Sequence, residues 1–239
     1  MSFDPTFLII GVVALLAVVV VGARWLRQAV TQSDARRRAA FNASIGPERE
    51  TWAQASGWQF APGPGRVPLD GLEPAGTREP VVITLALWGT WSGAGDARSA
   101  ALATRSGEYF STSTSSWTDW AQQRAEVATL RPVPAMVAIA NGEFHAGPLP
   151  GVARDNPAMG VIRRPIGRPW LLAAPLGLEG VVTTALVPVL ERNTPSGVIL
   201  HCDGERVIVS SEGSGSRQEM EELLALAGTV ATALESIAA

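Results

Sequence analysis

Apolar positions follow two different patterns along this chain. From Phe7 to Ala23 the sequence reads FLIIGVVALLAVVVVGA without a charged residue, and its Val and Ile residues occupy every face of a helix instead of one stripe. As a helix this stretch is about 26 Å long, and with Trp25 and Leu26 it is long enough to cross a hydrocarbon core about 30 Å thick. The pattern predicts a transmembrane helix over 7–26. A buried core helix would keep a polar face, and this one has none. A cleaved signal peptide would carry positive charge before the apolar stretch and an A-x-A type site after it. Here the first six residues hold only Asp4, and that site is missing.

Beyond the span the chain becomes polar. Arg24, Arg27, Arg36, Arg37 and Arg38 all follow the apolar stretch, so the charge bias places residues 1–6 outside and the rest in the cytoplasm. With Trp25 at the interface, the same arginines are the candidates for contact with anionic lipid. Good helix formers without Gly or Pro predict a helical stalk over 27–46, ended by Ile45-Gly46-Pro47. Pro47 suits the first turn of a short helix over Glu48–Ser56 that Gly57 stops.

Residues 47–239 read as a single α+β domain, an antiparallel sheet packed against a C-terminal helix. Trp58–Phe60 is a short strand, and the Pro- and Gly-rich run Ala61–Pro80 reads as a loop. Val81–Trp91, apolar on both faces, predicts a central strand. Gly93–Gly107 reads as an Ala- and Gly-rich connector. Tyr109–Thr114 and Gln123–Leu130 read as strands around the turn STSTSSWTDW, followed by strand Ala135–Ala140. Asn141-Gly142 is a hairpin turn, and Gly147–Pro169 is poor in regular structure. The last third predicts a helix over Val181–Arg192 with a new turn at Pro188, a hairpin around Asp203-Gly204-Glu205, and a capped helix. In that cap, Ser216 accepts from the Glu219 amide while the Glu219 side chain returns to the Ser216 amide. Met220, Leu223, Leu224, Ala227, Val230, Leu234 and Ile237 then share the face that must meet the sheet.

The hairpin VILHCDGERVIVSS, the terminal helix MEELLALAGTVATALESI, the segment WAQASGWQFAP and the strand RAEVATLRPVP, following an N-terminal membrane helix, together resemble an uncharacterised family of actinobacterial single-pass membrane proteins. The resemblance implies a membrane-anchored α+β domain and brings no known activity with it. The stretch from Ser92 to Gly107 stands where such proteins have an aromatic strand.

Composition narrows the chemistry. All 19 basic residues are Arg, which excludes a Walker-A loop, a Schiff-base lysine and a kinase lysine. A net charge of −3 speaks against nucleic acid as a partner, and one Cys allows no internal disulfide. No cofactor is expected.

His201-Cys202-Asp203 tempts as a nucleophile group, yet strand neighbours face opposite ways, which points to one buried thiol and one imidazole on the other side. Glu143 and His145 share a strand face and, with His201 and Asp203, form the candidate group for a small hydrolase or a metal-dependent enzyme. There is no G-x-S-x-G, and Gly93-Ala94-Gly95 and Gly213-Ser214-Gly215 are not dinucleotide fingerprints. Trp117 and Trp120, with Trp88 and Trp91 before them, are candidates for contact with a partner. The expectation is therefore a membrane-anchored, cytoplasm-facing, non-enzymatic interaction module. Its partner would be lipid or another protein, and the enzyme is the alternative.

Overall fold

The computed structural model describes residues 40–41, 43–63, 77–93, 95–111, 116–140, 159–166, 168–193 and 197–238. The chain divides into two compact units, Met1–Ser44 and Ile45–Ala239. In the first, only helical residues at its end are described. The predicted tail and span, and Arg24, Trp25, Arg27, Arg36, Arg37 and Arg38, lie outside the described residues. Among the described residues no helix is long and apolar enough to cross a membrane.

The second unit is α+β. It contains helical residues 45–56 (α1), then β1 (Gln59–Ala61), β2 (Thr77–Trp91), β3 (Arg98–Ser111), β4 (Ser116–Ala128) and β5 (Met136–Ala140). After these come β6 (Met159–Ile166), β7 (Arg168–Pro175), α2 (Glu179–Asn193), β8 (Ile199–Cys202), β9 (Arg206–Ser211) and α3 (Arg217–Ile237). Among the described residues the strands make one sheet in the order β1-β2-β3-β4-β9-β8-β5-β7-β6. Every pairing in it is antiparallel.

Register separates the sheet into two faces. Leu102 of β3 lies opposite Ala125 of β4, Ala125 opposite Val209 of β9, and Val209 opposite Leu200 of β8. All four belong to the main core, to which α1 gives Trp52 and Ala53, α2 gives Val182, Leu186 and Leu190, and α3 gives Met220 to Leu234. The helices therefore cover one face, and the predicted stripe of α3 is the buried one.

Two buried arginines fasten that layer. Arg49 on α1 donates to Leu85 O at 3.0 Å, Thr104 Oγ1 at 3.2 Å, Gln123 Oε1 at 2.8 Å and Gly215 O at 3.2 Å. Leu85 lies where the β2–β3 register slips between Thr84 and Leu87, and its φ is +53°. A left-handed non-glycine residue costs about 1–3 kcal/mol, and a hydrogen bond to a charged donor returns a similar amount. At the other end of the layer, both Glu235 oxygens of α3 accept from Arg98 of β3, at 2.6 and 2.8 Å. Glu235 also accepts the Leu130 amide at 2.6 Å and, through its carbonyl, the Arg131 guanidinium.

Several expected boundaries move. The run Ala61–Pro80 gives up Thr77–Pro80 to β2. The supposed connector Gly93–Gly107 becomes most of β3, because Ala100 to Ala103 are buried between neighbouring strands on both sides and small side chains are what the close packing there accepts. The second half of the Trp-rich turn, Ser116 to Trp120, belongs to β4. The segment Gly147–Pro169 holds β6 and the start of β7, a hairpin in which Pro165 pairs with Pro169 next to its turn. Pro188 sits inside one continuous helix instead of starting a new turn. The cap of α3 is half as expected. Ser216 Oγ accepts from the Glu219 amide at 3.4 Å, but the Glu219 carboxylate returns to the Gly215 amide at 2.9 Å, one residue earlier than predicted. Gly215 has a φ of +68°, which turns its amide toward that carboxylate.

Leu224→Ala removes a fully buried side chain from the core and is expected to cost about 2–5 kcal/mol. Ser216→Ala removes one capping bond and is expected to cost about 0.5–2 kcal/mol. Urea unfolding of the full chain in detergent measures both, and the ordering shows whether tertiary burial outweighs local capping at this end of the chain.

Candidate functional site

The face of the sheet turned away from the helices carries most of the charged candidates. Across β8, β9 and β4, His201 lies opposite Ile208 and Ile208 opposite Glu126, so the three form one row. Arg124 stands beside Glu126 along β4, opposite Ser210, and Arg105 pairs with Gln122. Arg105, Gln122, Arg124, Glu126 and Ser210 are all buried. Small Ala101 and Ala103, with Ala86 and half-buried Trp88 and Ile83, make the apolar part of this face.

Asp203 serves the turn first. Its Oδ1 accepts the amides of Glu205 and Arg206, each at 2.9 Å, and its Oδ2 accepts Arg206 Nη2 at 2.7 Å and Nε at 2.9 Å. Arg206 also reaches Glu126 Oε1 at 3.3 Å. Burial works against the Asp203 charge, yet the Glu205 amide and Arg206 hold its carboxyl below the ordinary range. Glu126 goes the other way, since burial pushes its carboxyl up further than Arg206 and Arg124 pull it down. Burial likewise lowers His201, with Asp203 opposing. Glu126 Oε2 and His201 Nδ1 are buried with no hydrogen-bond partner among the described residues.

Cys202 is on the opposite face from His201, inside the main core, as strand alternation requires. Burial pushes its thiol up to about 11, which makes it a packing group and not a nucleophile at neutral pH. Glu143 and His145 lie outside the described residues, so of the candidate group the structure places only His201 and Asp203. Among the described residues no three His, Cys, Asp or Glu side chains gather as metal ligands would. The glycine loop before α3 is filled by the chain itself: the Glu219 carboxylate accepts Ser211 Oγ at 3.1 Å and Ser214 Oγ at 2.9 Å. A side chain at Gly213 would collide with that carboxylate.

Trp117 and Trp120 belong to β4, opposite Phe110 and Gly107 of β3. Trp91 is half-buried against the main core. The residue the sequence reading missed is Arg49. Its signal was present, because Arg49, Trp52 and Ala53 stand at i, i+3 and i+4 and so share the buried side of α1.

No family model matches the sequence, and no curated protein matches it. Among solved structures, the crystal structure of the mycobacterial trehalose monomycolate transport factor A, TtfA, is similar with a TM-score of 0.52. The match covers 80% of this chain and 94% of that chain at 11% sequence identity, so it is a likeness of fold. The neighbour is mycobacterial and hence actinobacterial, the group to which the sequence resemblance pointed.

The two displaced titrations predict opposite slopes of stability with pH. His201, lowered when folded, contributes stability above about pH 6.5 that is lost as pH falls toward its folded value. Glu126, raised when folded, takes up its proton earlier in the native state and adds stability as pH falls toward about 4.3. His201→Gln is expected to abolish the loss just below neutrality, and Glu126→Gln to abolish the gain at lower pH. Urea midpoints measured between neutral and mildly acidic pH for the two variants test this.

Proposed function

We propose that this protein is a membrane-anchored, cytoplasm-facing, non-enzymatic module that assists a membrane process by binding. The observation that carries the reading is the use to which the described candidate side chains are put. Asp203 is committed to its turn and to Arg206, and Cys202 is part of the core. For Asp203 to act as an acid, base or ligand, the Arg206 pair would have to open and the hairpin between β8 and β9 would lose its turn. The apolar stretch Phe7–Ala23 and the arginines after it support the anchor and its orientation. The structural neighbour is called a transport factor, and an accessory part in a membrane transport assembly is the role this reading extends to the present chain. Arg24, Trp25, Arg27, Arg36, Arg37 and Arg38 are proposed as the lipid-interface residues, and Trp117 and Trp120 as contacts for a partner.

A reporter fused after Ala239 tests the anchor and its direction together. Green fluorescent protein there is expected to be fluorescent and alkaline phosphatase inactive, in membranes that keep the fusion through alkaline washing. Phosphatase activity would reverse the orientation, and release by the wash would remove the anchor.

A further inference from the structure

One leucine of the sheet is held in a conformation that its side chain disfavours, and a single helix grips it there. Among the described residues Leu85 is the one non-glycine with a positive φ, at +53°. Thr84 lies opposite Thr104 and Leu87 opposite Leu102, so Leu85 and Ala86 together face Ala103 and form a bulge. The left-handed position of such a bulge ordinarily belongs to glycine. α1 meets this bulge twice. A Cβ at Gly46 would lie 3.5 Å from Leu85 Cδ2, which puts the first turn of α1 against the leucine, and Arg49 Nη1 then donates to Leu85 O at 3.0 Å. Leu85 is fully buried and stands outside both apolar clusters of the sheet.

Docking of α1 therefore carries two costs at one place. A guanidinium leaves water for acceptors that are all neutral among its described hydrogen bonds, and a leucine is held left-handed. One motion relieves both, since a lifted α1 returns Arg49 to water and lets Leu85 return to the extended region. The sheet tolerates that loss. Gln123 Oε1 also accepts Thr104 Oγ1 at 2.9 Å and keeps that donor, while Leu85 O and Gly215 O would meet water in the space that α1 vacates. We infer that α1 is a reversible strap, which lifts from the sheet while the rest of the α+β unit stays folded, and that Leu85 passes from the left-handed bulge to extended backbone as it goes. Local openings draw on elements held by few buried apolar side chains. α1 gives only Trp52 and Ala53 to the main core, whereas α3 gives the whole stripe from Met220 to Leu234. The strap thus governs whether the part of the core under Trp52 and Ala53 is open. It does not rest on the anchoring proposed above.

The test reads thiol labelling of Ala53→Cys in the full chain in detergent. Native Cys202, which lies in the main core with its thiol raised to about 11, reports global unfolding in the same molecule. With excess reagent, the thiol at position 53 is expected to label at least about 100-fold faster than Cys202, at a rate that low urea hardly changes. Amide exchange of the unaltered chain asks the same question without a substitution, and the amides of Trp52 to Ser56 are expected to exchange ahead of those of Leu223 to Val230. Leu85→Gly and Leu85→Ala, each added to the Ala53→Cys chain, test the bulge. Both remove the buried side chain and only alanine keeps the cost of a positive φ, so position 53 is expected to label at least about fivefold faster in the alanine variant. If the amides of α1 exchange together with those of α3, α1 opens only when the whole unit unfolds and the strap is overturned, whatever the thiol shows. If α1 opens ahead of the core but the glycine and alanine variants label alike, Leu85 is not the switching residue and the inference is overturned there.

Discussion

A guanidinium inside a protein core is tolerated where most of its donors meet acceptors, and much of this structure is arranged around one whose two terminal nitrogens do, while its Nε finds no partner among the described residues. Arg49 is almost fully buried, and the hydrogen bonds its side chain makes among the described residues go to neutral acceptors, not to a carboxylate. Its two terminal nitrogens are satisfied instead by a carbonyl of β2, a hydroxyl of β3, an amide oxygen of β4 and the carbonyl of Gly215 before α3. Burial lowers its pKa to about 10, against the pull of Glu219 and Glu48, so the charge is kept at neutral pH. Each acceptor comes from a different part of the chain. The slipped register at Leu85 and the left-handed turn at Gly215 are both shaped to aim oxygens at this side chain. A side chain at Gly215 would come within 2.8 Å of both Arg49 and Gln123, so glycine there is a packing requirement as well as a conformational one.

The Arg98–Glu235 pair does the corresponding work at the end of α3, and the two sites use the same property of arginine. A planar fork can address several acceptors at fixed angles, which an ammonium group cannot do. In a chain whose basic residues are all Arg, buried cations become joints between layers. The Glu235 carboxylate, held below its ordinary range by the Arg98 hydrogen bonds and helped by the Leu130 amide, ties β3, the β4–β5 connection and α3 into one piece.

How much of this was legible depended on how local the cause was. The β8–β9 hairpin and the cap of α3 were readable because Asp203-Gly204 and Ser216 to Glu219 settle their geometry within a few residues. The β3 strand was not, because Arg98 to Ser106 holds residues of low strand preference, and what makes it a strand is its place between β2 and β4. The alternation of His201 and Cys202 followed from strand periodicity alone. What the candidate chemistry of Asp203 did not reveal is its turn duty, since an Asp before Gly in a hairpin is first of all an acceptor for turn amides. Arg49 was overlooked because a charged residue in a short helix reads as solvent-facing unless its i+3 and i+4 neighbours are examined with it.

The distribution of charge bears directly on what kind of work the domain does. Arg49, Arg98, Glu235 and Asp203 are all engaged in holding backbone, Arg206 pairs with the Asp203 and Glu126 carboxylates, and freeing any of them would leave a partner unsatisfied at a cost of about 1–3 kcal/mol. Catalysis needs groups whose protonation or contacts change during a cycle, and groups with a second, architectural duty resist such change. On the charged face Glu126 Oε2 and His201 Nδ1 have no hydrogen-bond partner among the described residues, and burial keeps each group nearer its neutral form.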